Sequence, residues 1–169
     1  MIPFQPIKTF IRHYPITALT ASLITLLFFF IGAVPESLFF NQSAIINGQW
    51  WRLFTSHLVH SDLNHLIWNL IAFMILSILI ETHCRRFLVM TFISGVIAID
   101  CFLWFNTLGV INYAGLSGVL NTLLVVALYL QWQQTSTQQA MIKLIPLFIY
   151  IASLGKIVIE LLSQQSILT

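Results

Sequence analysis

Five apolar runs dominate the chain, at Ile16–Val34, Leu63–Ile80, Phe87–Phe105, Ser117–Gln131 and Ile142–Leu162. A helix of about 20 apolar residues crosses the hydrocarbon core of a bilayer, so these runs predict an all-α polytopic membrane helix bundle. The rest of the composition agrees. Only 7% of residues are charged and 59% are hydrophobic, whereas a soluble domain carries about a quarter charged residues to cover its surface. Residues 1–169 leave room for one membrane domain and no separate soluble module. Lys8, Arg12 and His13 before the first run also suit a signal peptide. That run exceeds the 7–15 apolar residues of such signals and no small-x-small cleavage site follows it, so we read it as a retained helix.

Charge sets the orientation and excludes some partners. With the N-terminus inside, Lys8, Arg12, Arg85, Arg86 and Lys143 are cytoplasmic, while Arg52 and Lys156 fall on the outer half. This obeys the positive-inside rule. Basic residues form no block and do not alternate with aromatics, which argues against nucleic acid as a partner. Cys84 and Cys101 are roughly 25 Å apart if one helix holds both, too far for a disulfide.

The fourth run is short. Ser117 lies below the membrane surface unless Asn112 to Gly118 dips inward as a loop, and irregular backbone at that depth needs protein or a watery cavity against it. The Glu36–Asp62 connection is long and carries Phe39, Phe40, Trp50 and Trp51. It suits either an aromatic belt at the interface or a partly embedded loop that shields a site from lipid.

Four constellations could carry chemistry. Gly115-Leu116-Ser117-Gly118 is a G-x-S-G at a helix start. There, backbone N–H groups can hold a developing oxyanion and glycines permit close approach and sharp turns. A glycine-rich helix start with Ser117 as N-cap fits the same residues. His65 and Asn69 are i and i+4 on the second membrane helix and share a face. Polar groups in such a helix mark function or simply join helices by hydrogen bonds. His57, His60 and His65 match no common zinc spacing, so we expect no metal. Lys156 and Glu160, again i and i+4, read as a mutually neutralising pair. A Ser–Lys dyad with Ser117 is disfavoured, because a paired carboxylate keeps the lysine charged. Asp100 has no partner legible from spacing.

Together and in order, these residues resemble the rhomboid family of intramembrane serine proteases from Gly48 to about Glu160. The resemblance is carried by WRLFTSHLVHSDLNHLIWNL, which holds Trp51, Arg52, His60, His65 and Asn69, and by the Gly115–Gly118 motif. It implies a rhomboid-type bundle with Ser117 as nucleophile, and His65, Asn69 and the Ser117 N–H as oxyanion donors. Trp51 and Arg52 would anchor the first outer loop. It further implies hydrolysis of transmembrane protein substrates near the outer membrane surface, without cofactor or metal, by a protein of a bacterial inner membrane. Gly48-Gln49-Trp50-Trp51-Arg52, the short build and Lys156 with Glu160 also resemble the rhombosortase branch. That branch acts on secreted proteins ending in a Gly-Gly motif, a hydrophobic helix and a basic tail.

One departure is pronounced. The family's general base is a histidine on a sixth helix, yet the last histidine here is His83 and only SQQSILT follows Leu162. Five membrane helices of an expected six are therefore predicted, and the chain as given is expected to be inactive. A fragment of an active protease and a pseudoprotease that binds transmembrane segments both fit. The charge asymmetry makes a direct prediction: a topology reporter fused after Gln134 reads as cytoplasmic and one near Asn41 as external. Reversed signals would sink the orientation.

Overall fold

The computed structural model describes residues 7–32, 36–105 and 112–134. Met1–Leu123 forms one compact unit and Leu124–Thr169 another. The described residues hold helices α1 (Ile7–His13), α2 (Pro15–Ile31), α3 (Gln42–Ile46), α4 (Arg52–Thr55), α5 (Leu63–His83), α6 (Arg85–Phe105) and α7 (Ser117–Gln134). A 3-10 turn spans Glu36–Leu38, and one isolated antiparallel bridge joins Phe40 to Tyr113. The helix expected over Ile142–Leu162, together with Lys143, Lys156 and Glu160, lies outside the described residues.

The long helices follow from their sequences. α5 and α6 each run 21 residues, about 31 Å at 1.5 Å per residue, which matches a bilayer core. Among the described residues these two are long and apolar enough to cross a membrane, and α2 is a shorter apolar helix. Asp62 starts α5 by accepting the His65 N–H through Oδ1 at 2.8 Å. Extended backbone at Cys84 ends it. Gly32, at φ +90°, ends α2 while its N–H closes on Phe28 O at 2.9 Å.

Polarity is inverted relative to a soluble protein. Leu19, Phe30, Ile75, Met90, Ile97 and Phe105 are exposed, whereas Thr17, Asn69, Ser77, Glu81 and Thr91 are buried. An apolar exterior of this extent belongs against lipid. Inside, α5 packs against both α2 and α6. On α6, a Cβ at Gly95 would lie 3.1 Å from Thr122 Oγ1 and 3.3 Å from Val119 Cγ1. The missing side chain therefore lets the first turns of α7 pack closely on α6, as small residues do in membrane bundles.

Residues 36–62 are folded rather than loose. Arg52, largely buried, gathers three acceptors: Nε donates to Gln49 Oε1 at 2.7 Å, and Nη1 donates to the carbonyls of Glu36 at 2.7 Å and Phe39 at 2.8 Å. Trp51 Nε1 donates to Ser37 O at 3.1 Å and Thr55 Oγ1 to Leu38 O at 2.8 Å. A guanidinium with five fixed donors suits such carbonyl collection. Behind these bonds Phe40, Ile45 and Leu103 form a core with Leu53, Ile99, Trp104 and Tyr113 packed on it. Trp50, Trp51 and Phe54 point outward. The connection thus combines an aromatic exterior with a buried anchor at Phe40.

At the other end of α5, Glu81 does what the N-cap of α2 does not. Tyr14 makes no side-chain cap bond. Instead Glu81 Oε1 accepts from Ile16 N at 3.1 Å, and Oε2 accepts from Thr17 N at 3.0 Å and Thr17 Oγ1 at 2.7 Å. A carboxylate at a helix N-terminus meets both orphan donors and the positive end of the dipole. Glu81→Ala is expected to destabilise the protein by about 2–4 kcal/mol, since it strands buried donors and removes charge-assisted bonds. Thermal unfolding in detergent checks this, and an unchanged melting temperature would refute it.

Candidate active site

The two motifs singled out in the sequence meet in space. Gly115 has φ +124° and is buried, and its N–H donates to Ser56 O at 2.8 Å. A Cβ on Gly115 would lie 2.8 Å from His65 Cε1 and 3.1 Å from Nε2. Only glycine tolerates both that backbone conformation and that contact. The imidazole of α5 thus lies directly on the turn that carries the serine, with its Cε1–Nε2 edge toward it. Ser117 opens α7 and is exposed.

Gly118 is held as tightly. A Cβ there would lie 2.8 Å from Ile99 Cδ1 and 3.0 Å from Tyr113 Oη. Tyr113 Oη donates to Gly115 O at 3.0 Å and accepts from Gly118 N at 3.3 Å, so one hydroxyl spans the turn. The Tyr113 backbone is itself paired: Phe40 N donates to Tyr113 O at 2.9 Å and Tyr113 N to Phe40 O at 3.3 Å. Asn41 Nδ2 adds a bond to Asn112 Oδ1 at 3.1 Å.

Asn69 is one helical turn beyond His65 on α5 and is buried, and its Nδ2 makes no hydrogen bond among the described residues. His60, nearly fully buried, stacks edge-to-face against His65 with ring centroids 5.2 Å apart. Neither of its ring nitrogens reaches hydrogen-bond geometry. Burial, reinforced by the neighbouring His65 ring, lowers the His60 pKa to about 4, against weaker upward pulls from the Leu58 backbone and Asp62. His60 is therefore neutral at physiological pH. Trp51 and Arg52 act at the 36–39 segment described above rather than touching the turn.

Two features escaped the sequence reading. Asp100, without an evident partner in the sequence, meets His57: Nε2 and Oδ1 are 3.1 Å apart, and the histidine is fully buried. The His57 ring stands edge-on to Tyr113 at 5.7 Å. These residues come from three segments, and no spacing rule links them. The second feature is a short network at the α5 cap, where Ser61 Oγ donates to Asp62 Oδ2 at 2.8 Å and lies 3.1 Å from His65 Nδ1. The serine and aspartate directly before the helix are its only sequence signal. Among the described residues no group of three His, Cys, Asp or Glu side chains could hold a metal ion.

Chemically, this arrangement offers a hydroxyl at a helix start, an imidazole edge on the adjoining turn and, one turn further along the imidazole's helix, a carboxamide whose Nδ2 has no partner among the described residues. Backbone groups of Tyr113, Gly115 and Gly118 in the turn are hydrogen-bonded within the protein.

Comparison with known proteins gives the same answer from another direction. A profile of the rhomboid domain matches residues 47–168, well over half of the chain. A Bacillus subtilis (strain 168) protein named "Putative rhomboid protease YdcA" is 29% identical over 99 residues, which cover 53% of this chain and 50% of that relative. The chain thus spans about half the length of the curated relative it matches. No solved structure matches it. With its membrane-type polarity and the joined histidine and serine motifs, the chain belongs to the rhomboid family of integral membrane proteins.

Proposed function

We propose that this protein is an intramembrane serine endopeptidase that cleaves transmembrane-anchored proteins near the outer membrane surface. The observation that carries the reading is the contact of the His65 ring with Gly115, two residues before Ser117. In the proposed reaction Ser117 Oγ attacks a substrate carbonyl carbon while its proton passes to a general base, the sixth-helix histidine that the family resemblance implies. The resulting oxyanion takes hydrogen bonds from His65, Asn69 and the Ser117 N–H, the C–N bond breaks as the base hands the proton to the leaving amine, and water then hydrolyses the acyl-enzyme. Donors set in advance around developing charge are the largest single contribution in acyl transfer of this kind. The free Nδ2 of Asn69 supports its part, because a buried donor without a partner is available to a new acceptor. The reaction so described uses no metal or cofactor.

The finer reading concerns substrate and setting. Gly48-Gln49-Trp50-Trp51-Arg52 resembles the rhombosortase branch, whose substrates end in a Gly-Gly motif, a hydrophobic helix and a basic tail. We assign this protein substrates of that type, in a bacterial inner membrane with the N-terminus cytoplasmic. The basic residues on the cytoplasmic side of the apolar runs support that orientation.

The test uses the protein in membranes with a fluorophosphonate probe and a helical, Gly-Gly-bearing substrate. Supplied with the histidine-bearing sixth helix that the family resemblance implies, the protein is expected to be labelled and to cleave, and Ser117→Ala abolishes both, whereas residues 1–169 alone are expected to do neither. Asn69→Ala is expected to lower turnover by roughly 10²–10³ while leaving substrate binding nearly unchanged, because the donor acts where charge develops. Full turnover in Asn69→Ala would reduce that residue to helix packing. Absence of any Ser117-dependent labelling or cleavage with that helix supplied would sink the peptidase reading in favour of a family member that binds transmembrane segments without cutting them.

A further inference from the structure

The direction of the hydrogen bonds at the start of α5 determines what His65 can do. Asp62 closes the helix with Oδ1, which accepts the His65 N–H at 2.8 Å. Its other oxygen, Oδ2, is 2.8 Å from Ser61 Oγ, and that hydroxyl is 3.1 Å from His65 Nδ1. A carboxylate only accepts and a serine hydroxyl has one proton to give. The shorter, charge-assisted bond takes it. Ser61 Oγ then has only lone pairs left for the imidazole, so the contact at Nδ1 exists only if Nδ1 carries hydrogen. The chain of donation runs from His65 Nδ1–H to Ser61 Oγ and from Ser61 Oγ–H to Asp62. A neutral imidazole has one N–H. The other nitrogen, Nε2, is the one lying toward Gly115, where a Cβ would be 3.1 Å from it.

We propose that Ser61 and Asp62 are positioning residues that hold His65 in the Nδ1–H tautomer. The Nε2 edge turned to the serine-bearing turn then accepts a hydrogen bond while the ring is neutral and donates one only as the imidazolium. This rests on the reading of His65 as an oxyanion donor and deepens it. His65 can serve the oxyanion only when doubly protonated, and Asp62, acting through Ser61, steadies that cation. The groups facing the ring are Ser61 and Asp62 from the cap, His60 from the preceding segment and the Gly115 backbone from the turn before α7. His60 supplies no competing partner at Nδ1, since neither of its own ring nitrogens is engaged. Asp100 is engaged with His57. Asp62 is thus the anion linked to the ring through hydrogen bonds. An outer partner that fixes ring orientation and proton position is a recurrent device around functional histidines.

The test reads the proton position and not proteolysis, so it is independent of whether the protein cleaves anything. The full chain, labelled with ¹⁵N-histidine, is placed in detergent micelles near neutral pH, and the His65 ring signals are identified by their loss in His65→Gln. The expected pattern is a protonated, pyrrole-type Nδ1 and a bare, pyridine-type Nε2. Asp62→Asn reverses the chain while keeping the cap: its Oδ1 still accepts the His65 N–H, its Nδ2 donates to Ser61 Oγ, and the freed Ser61 proton turns to Nδ1. The ring is then expected to switch to the Nε2–H form. Ser61→Ala removes the bias and is expected to raise the Nε2–H population without reversing it fully. A wild-type ring already in the Nε2–H form, or an Asp62→Asn spectrum identical to wild type, would overturn the proposal. The expected shifts, together with no Ser117-dependent labelling even when the histidine-bearing sixth helix is supplied, would support this assignment while sinking the peptidase reading.

Discussion

The two backbone bonds between Phe40 and Tyr113 fix the one irregular segment that the site cannot do without. Residues 112–116 precede α7 as irregular chain, whose N–H and C=O groups need partners wherever water is excluded. The segment answers this locally. Its backbone pairs with Phe40 and Ser56, its Tyr113 hydroxyl serves Gly115 O and Gly118 N, and its aromatic ring packs on the Phe40–Ile45–Leu103 core. Arg52 and Trp51 then tie the 36–39 stretch leading into Phe40 to the short helix α4. If the Phe40–Tyr113 pairing were lost, the Ser117 turn would lose its register against α5, and with it the contact to His65.

Two carboxylates, Glu81 buried and Asp100 partly buried, show how differently a membrane protein can satisfy the same demand. Glu81 takes the open N-terminus of α2, with backbone and hydroxyl donors and the helix dipole as its partners. Asp100 takes an imidazole, His57, beside Tyr113. The first joins two helices. The second ties the segment before α5 to the C-terminal half of α6, next to the serine-bearing turn. An intramembrane acid commonly signals function, but here one of the two is plainly architectural. Which it is depends on what it touches.

Around the candidate site the tolerance for change is narrow for steric reasons. Gly115 and Gly118 are each overlaid by a side chain from another helix or from the turn itself, so an added methyl group collides with His65 or Ile99. Close packing without voids is what keeps an imidazole and a hydroxyl from separate helices in a defined relation. The bare polar atoms nearby, on Ser56, His57, His60 and Asn69, come from one short stretch of chain that supplies both the connection into α5 and its first turns.

The amino-acid sequence alone determined the solvent, the all-α class and the family. These depend on apolar run length, scarcity of charge and local motifs, all of which are read within a few turns of chain. It also placed His65 and Asn69 on one helical face, because 3.6 residues per turn is a property of the backbone. It could not say that His65 lies on Gly115, 50 residues away, or that Asp100 meets His57. Nor could it say that Ser61 and Asp62 do more than cap a helix. Those facts depend on which helix faces pack together and which way a hydroxyl points, and packing is set by shape complementarity among distant residues. Only the tertiary structure decided them, because a contact between helices leaves no period in the sequence from which to read it.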